Sequence, residues 1–181
     1  MNLSRIVPAL VLFLASLWAG CATAPSTPRE REDLKESASR ALRDMETQDP
    51  SLSRFLAESY GYVVFPRVGK GGYFVGGGYG RGIVYRQGTP IGYADITQAT
   101  VGLQFGGEAY LEVLAFQGAG DLDRFTAGQL SLTANVSAVI LKTGAAAAAR
   151  YTDGVAVFVK PIGGAMVEAS VGGQQFTYQP E

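Results

Sequence analysis

The chain has 181 residues, enough for one domain of ordinary size, and a formal net charge of −1. It contains no histidine and one cysteine, which excludes Ser-His-Asp and Cys-His catalysis and any ordinary zinc site. The near-neutral charge gives no footprint for nucleic acid, and no cofactor is implied.

Arg5 supplies a positive start, Ile6 to Trp18 an apolar run interrupted only by Pro8 and Ser16, and Ala19-Gly20-Cys21 a small-residue cleavage site. The run is shorter than the ~20 apolar residues of a membrane span, so residues 1–20 read as an export signal. Leu17-Trp18-Ala19-Gly20-Cys21 resembles a bacterial lipobox, with Trp18 where a branched aliphatic is usual. The resemblance implies that Cys21 is acylated, palmitate included, and becomes the mature N-terminus. It also implies that Ala22, rather than Asp, sends the lipoprotein to the outer membrane, facing the periplasm. The alternative is an ordinary secretory signal cut after Ala22 or Ala24, leaving a free thiol. Residues 21–27 then form a short lipidated tether and residues 28–181 the domain.

Thr27-Pro28-Arg29-Glu30 is a capping box with proline at the first helical position. Leu34, Ala38, Ala41, Leu42 and Met45 follow on one helical face, and Asp49-Pro50 ends that helix and opens a shorter one carrying Leu52, Phe55 and Leu56, closed by Gly61. The polar face of the first helix is mixed rather than basic, which favours packing on a sheet over lying on a membrane. From Tyr60 the pattern predicts short strands at Tyr62–Phe65, Gly72–Val75, Gly82–Arg86, Ile91–Thr97, Thr100–Phe105 and Ala109–Phe116. Asp121 to Phe125 reads as a helical turn ended by Gly128. The alternation from Leu130 to Ile140 reads as the clearest half-buried strand. A short helical connection at Gly144–Arg150 precedes strands at Val155–Lys160, Ala165–Val171 and Gln174–Tyr178. Helices followed by many strands predict an α+β fold, with N-terminal helices packed on a mainly antiparallel, glycine-rich sheet that is strongly curved or barrel-like.

Tyr60 to Pro90 is the most distinctive segment. It is rich in glycine and holds seven aromatic and four basic side chains but no acidic one. Aromatics offer amphipathic contact area and unopposed Arg and Lys a positive field, a combination suited to an anionic, extended partner. It contains neither a Walker A loop nor GxGxxG: Gly71 follows Gly69-Lys70, and Val64 stands five residues before Gly69. Glu108 and Glu112, four apart on a strand, are the one candidate carboxylate pair of glycosidase type, and solvated strand positions explain them equally well. Asp121-x-Asp123 lacks the further ligands of a calcium loop, and Asp121 fits helix capping better.

Three blocks carry a family resemblance: Gly61-Tyr62-Val63-Val64-Phe65-Pro66, then Lys70-Gly71-Gly72-Tyr73-Phe74-Val75-Gly76-Gly77 with Tyr79-Gly80-Arg81-Gly82, and Gly102-Leu103-Gln104-Phe105-Gly106-Gly107. On these the chain resembles the SYLF family, in outline over residues 32–178 and closely over about 58–116. These are lipid-binding domains of bacterial lipoproteins and eukaryotic trafficking proteins; the yeast members carry an actin-binding label. Ile91-Gly92-Tyr93 stands where eukaryotic members often carry tryptophan, and actin is an implausible partner for an exported bacterial protein. The resemblance implies a non-enzymatic domain that contacts anionic phospholipid. Arg67, Lys70, Arg81 and Arg86 are the expected phosphate contacts, and Tyr73, Phe74 and Tyr79 the expected interfacial aromatics. The competing expectation is an envelope structural or adaptor protein that binds a protein or glycan with the same face.

Overall fold

The computed structural model describes residues 25–132 and 138–181, with 102–105 and 165–172 described by backbone alone. The export signal, Cys21 and the first residues of the tether lie outside the described residues. Among the described residues there are four helices and six strands, and two of the strands are so long that each serves in two places.

Helix α1 (Pro28–Gln48) starts at the expected capping box: the Glu30 N–H donates to the Thr27 hydroxyl at 3.2 Å, and the Glu30 carboxylate accepts from the Thr27 N–H at 3.4 Å. Its buried stripe is Ala38, Ala41 and Met45. Asp49 ends α1 and is fully buried. Its carboxylate accepts from the Ser51 N–H (3.0 Å) and hydroxyl (2.6 Å), and from the N–H groups of Gly144 (3.1 Å) and Ala146 (2.8 Å). One side chain therefore closes the starts of both α2 (Ser51–Glu58) and the distant α4 (Ala145–Ala148). Burial pushes the Asp49 carboxyl up, but the hydrogen bonds from Ala146, Ser51 and Gly144 outweigh it and hold it below the usual range. Helix α2 is closed at Ser59 rather than at Gly61.

The strands are β1 (Gly61–Gly72), β2 (Val75–Arg86), β3 (Thr89–Phe116), β4 (Ser131–Leu132), β5 (Val139–Ile140) and β6 (Val155–Pro180). The runs expected as separate short strands over 91–116 are one continuous strand, and so are those over 155–178. The first half of β3 pairs with β2 and its second half with β1, while β6 follows β3 from Gly92↔Pro180 to Phe116↔Val155. Across the sheet the order is β4, the C-terminal half of β6, the first half of β3, β2, β1, the second half of β3, the N-terminal half of β6, then β5. Among the described strands only the β5–β6 pair is parallel. The result is a curled sheet, a half-barrel of eight strand segments in an α+β fold.

Two expectations change. Gly72–Val75, predicted as a strand, is the turn joining β1 to β2. A Cβ at Gly72 would sit 2.4 Å from the Gly76 Cα, so the two strands meet too closely there for a side chain, and Tyr73 and Phe74 are expelled to the outside. The strand expected through Leu130–Ile140 is represented at its ends by β4 and β5, which pair with opposite halves of β6; residues 133–137 lie outside the described residues. The β2–β3 turn, by contrast, follows its sequence: Gln87 and Gly88 both have positive φ (48° and 79°), as a two-residue hairpin turn requires.

Alternation sends side chains to two cores. The concave face collects Val63, Phe65, Val84, Ile96, Leu114, Phe116, Val157 and Phe176, and α3 (Ala119–Thr126) plugs its end with Leu122 and Phe125. Phe125 touches both walls, with ring centroids 5.0 Å from Phe116 and 5.4 Å from Phe176. Asp121 caps α3 as expected, accepting from the Gly118 N–H at 3.0 Å. The convex face places Val64, Ile83, Tyr85, Leu111, Val113 and Phe158 beneath α1, α2 and α4. At Gly82 a Cβ would meet the Phe65 ring at 2.7 Å, so glycine there lets a wide ring fill a tight curl.

Candidate membrane-contact surface

The helices cover only part of the sheet. Helix α1 begins beside the middle of β2: Arg31 lies over the Tyr93 ring at 5.7 Å, and Tyr93 pairs in register with Ile83. Beyond Arg81, β1, β2 and β3, with β6 paired along β3, run on as an arm on which no described helix packs, and β1 and β2 join there in their turn. From Gly71 to Gly80 the sequence holds no charged residue. At the end of the arm Tyr73 is 55%, Phe74 60%, Val75 71% and Val101 68% exposed. Tyr73 and Phe74 pack edge-to-face at 4.4 Å, and Val75 sits opposite Val101 in the β2–β3 register. Four large apolar side chains thus share one exposed end.

The seven residues expected at a lipid surface fall in several places. Tyr73 and Phe74 form the tip. Tyr79 and Arg81 lie on the convex face and are tied together: the Tyr79 hydroxyl donates to Asp95 Oδ1 at 2.8 Å, Arg81 Nε donates to the Tyr79 hydroxyl at 2.9 Å, and Arg81 Nε is 3.9 Å from Asp95 Oδ1. The hydrogen bond to Tyr79 and the Asp95 carboxylate raise the Arg81 guanidinium further. Arg67 is exposed in a bulge of β1 beside Pro66, which lacks the N–H a regular ladder needs. Lys70 takes the inward parity of Val68, is half-buried, and pairs in register with Glu108 of β3. Arg86 stands at the other end of β2, roughly 36 Å from Val75 at ~3.3 Å per residue. The basic stretch of sequence is therefore not one basic face. Cross-strand Asp95 and Glu108, distant in sequence, stand against Arg81 and Lys70.

Sequence reasoning missed Val75 and Val101 as surface groups. The doubled glycines on both sides of Tyr73-Phe74-Val75 are the signal that marks this turn, since they allow the close approach that forces the three side chains outward.

Glu108 and Glu112 both take the concave parity, but four residues apart on a strand they are about 13 Å apart along the backbone, beyond the ~9.5 Å that a glycosidase pair spans. Glu112 is fully buried. Its Oε2 accepts from Gln174 Nε2 at 3.2 Å, a bond across the curl between halves of β3 and β6 that are not paired with each other, and Oε1 has no partner among the described residues. Burial pushes its carboxyl up to about 8, against a small lowering by Gln174. Among the described residues no helix is long and apolar enough to cross a bilayer, and no three potential metal ligands cluster.

No protein-family model matches the chain, and no curated protein matches its sequence.

Proposed function

We propose that this chain is an exported bacterial lipoprotein, held in the cell envelope through acylated Cys21, whose domain is non-enzymatic and binds anionic phospholipid with its glycine- and aromatic-rich β1–β2 region. The observation that carries the reading is the exposed, uncharged end of the arm, where Tyr73, Phe74, Val75 and Val101 lie together outside any core. The lipobox-like leader and the similarity to SYLF lipid-binding domains support it. A basic side chain near an anionic surface contributes about 1 kcal/mol. Arg81 is shared with Asp95, Lys70 faces Glu108 and Arg86 is remote, so headgroup attraction narrows to Arg67 and is weak and salt-sensitive. An acyl anchor converts such a contact into a persistent one by holding the domain at high effective concentration.

Co-sedimentation of residues 22–181 with vesicles tests this reading. The fragment retains every described core side chain, from Ala38 to Phe176. Binding to phosphatidylcholine is expected to rise when cardiolipin or phosphatidylglycerol is added and to fall with salt. Equal binding by Arg67→Glu overturns the basic component, and no binding to any vesicle overturns the lipid reading. A single protein adduct on cross-linking in intact cells, independent of lipid composition, favours the adaptor alternative.

A further inference from the structure

We infer that the β1–β2 turn is a membrane-insertion tip: Tyr73, Phe74 and Val75, with Val101 beside them, enter the interfacial zone of the same bilayer leaflet that receives the chain's N-terminal anchor. The inference rests on the lipid-contact reading and deepens it, because it names an apolar point of entry instead of a charged face.

Three observations commit this surface to a bilayer. The first is composition. The exposed side chains at the tip are aromatic or β-branched, and the ten residues from Gly71 to Gly80 hold no charge to be desolvated. The second is the backbone. Strand β1 is paired on one side with β2 and on the other with β3, and β2 is paired with β1 and β3. The pairing holds up to Gly72↔Gly76 and Val75↔Val101, and the Tyr73 N–H turns back to the Val75 carbonyl at 3.4 Å. The arm therefore brings few unpaired polar groups to the acyl boundary, which a lone hairpin with two open edges would do.

The third is where the chain enters. Ser26 and Thr27 are fixed by Glu30 at the start of α1, and the charge of Glu30 is felt by Arg81, halfway along β2. From Arg81 to Val75 the arm rises about 20 Å. The five residue steps from Ser26 back to Cys21 can reach roughly 17 Å when extended. The reach of the tether thus matches the height of the arm. An anchor at Cys21 and a tip at Phe74 can enter one leaflet together, with α1 held above it.

The mature segment lacks tryptophan, since the only one is Trp18 in the leader. The full-length chain carrying Trp18→Phe and Phe74→Trp, reconstituted into phosphatidylcholine vesicles with bromine-labelled acyl chains, reports on the tip alone. A matching chain with Trp18→Phe and Ile140→Trp, at an exposed position on β5 within the helix-covered half, serves as reference. The indole at position 74 is expected to shift to the blue and to be quenched at least about twofold more than that at position 140, because interfacial side chains sit ~5–10 Å into the acyl boundary. The difference is expected to persist in high salt and without anionic lipid. Equal quenching at the two positions overturns the tip. If residues 22–181 still co-sediment with vesicles, the lipid reading stands without it; if they do not, both fall. A blue shift at position 74 that appears without vesicles and grows with protein concentration assigns the tip to a second copy of the chain and overturns the bilayer assignment.

Discussion

The same strands pass through two environments, and the contrast between them explains most of this molecule. Near the α3 end, β1, β2 and β3 are packed on both faces, with the concave core on one side and α1, α2 and α4 on the other. Their residues there are Val63, Val64, Phe65, Ile83, Val84, Val113 and Leu114, the near-continuous apolar runs of a sheet buried on two sides. Beyond Arg81 the described helices stop and β2 turns mostly to glycine; Val68 and Ile96 are still buried on the concave face, but Tyr73, Phe74, Val75 and Val101 at the end are exposed. Burial accounts for the first region. In the second, stability comes from the backbone ladder and exposure is concentrated at one tip. The lesson is that glycine here does not loosen the sheet; it narrows an arm that extends past its own core.

Substitutions in each region put the contrast to the test. The largest effect is expected in the packed half. Phe125→Ala should lower stability by about 3–5 kcal/mol, since the ring joins Phe116 to Phe176 and its loss leaves a cavity between walls that cannot collapse. Denaturant melts measure it, and a loss below about 1 kcal/mol would mean that α3 does not plug the curl.

The next effect lies between the two regions. Glu112 has a folded pKa raised from 4.5 to about 8. Its raised value means that stability is greatest below the unfolded pKa and falls as pH rises towards the folded one. By linkage the loss between about pH 4 and pH 7 is on the order of 3 kcal/mol. Glu112→Gln should remove that slope, so that the variant gains on the parent as pH rises; parallel pH profiles of the two proteins refute the assignment.

The smallest effect belongs to the arm. Tyr73→Ser/Phe74→Ser/Val75→Ser should change stability by no more than about 0.5 kcal/mol, because none of the three belongs to a core. A loss of several kcal/mol would show that the arm is held by contacts at its tip.

What was legible in the sequence follows the same division. Helix α1, its capping box, the Asp49-Pro50 boundary and the capping role of Asp121 are written in local chemistry, within three or four residues. The α+β class and the curved sheet follow from helices preceding glycine-punctuated strands. The lengths of β3 and β6 were not legible, because glycines that look like strand breaks in the chain lie inside continuous ladders, where neighbouring backbone fills the vacant side-chain space; the Gly107 carbonyl beside Gly164 is the clearest case. The candidate surface was legible in its aromatics and misleading in its charges. Tyr73 and Phe74 stand out locally, but the carboxylate of Asp95 comes to Arg81 from fourteen residues on, through a register that composition does not encode.

The double use of β3 has a consequence in time. Its two halves hold β2 and β1, and both halves are themselves backed by β6, whose pairing with β3 begins at Gly92↔Pro180 and ends at Phe116↔Val155. Contacts that far apart in sequence form slowly, because a large loop must close before any of them is rewarded. The curl therefore has no completed wall until the strand at 155–180 arrives, and assembly of the half-barrel is a late, concerted event rather than one that follows the ribosome strand by strand.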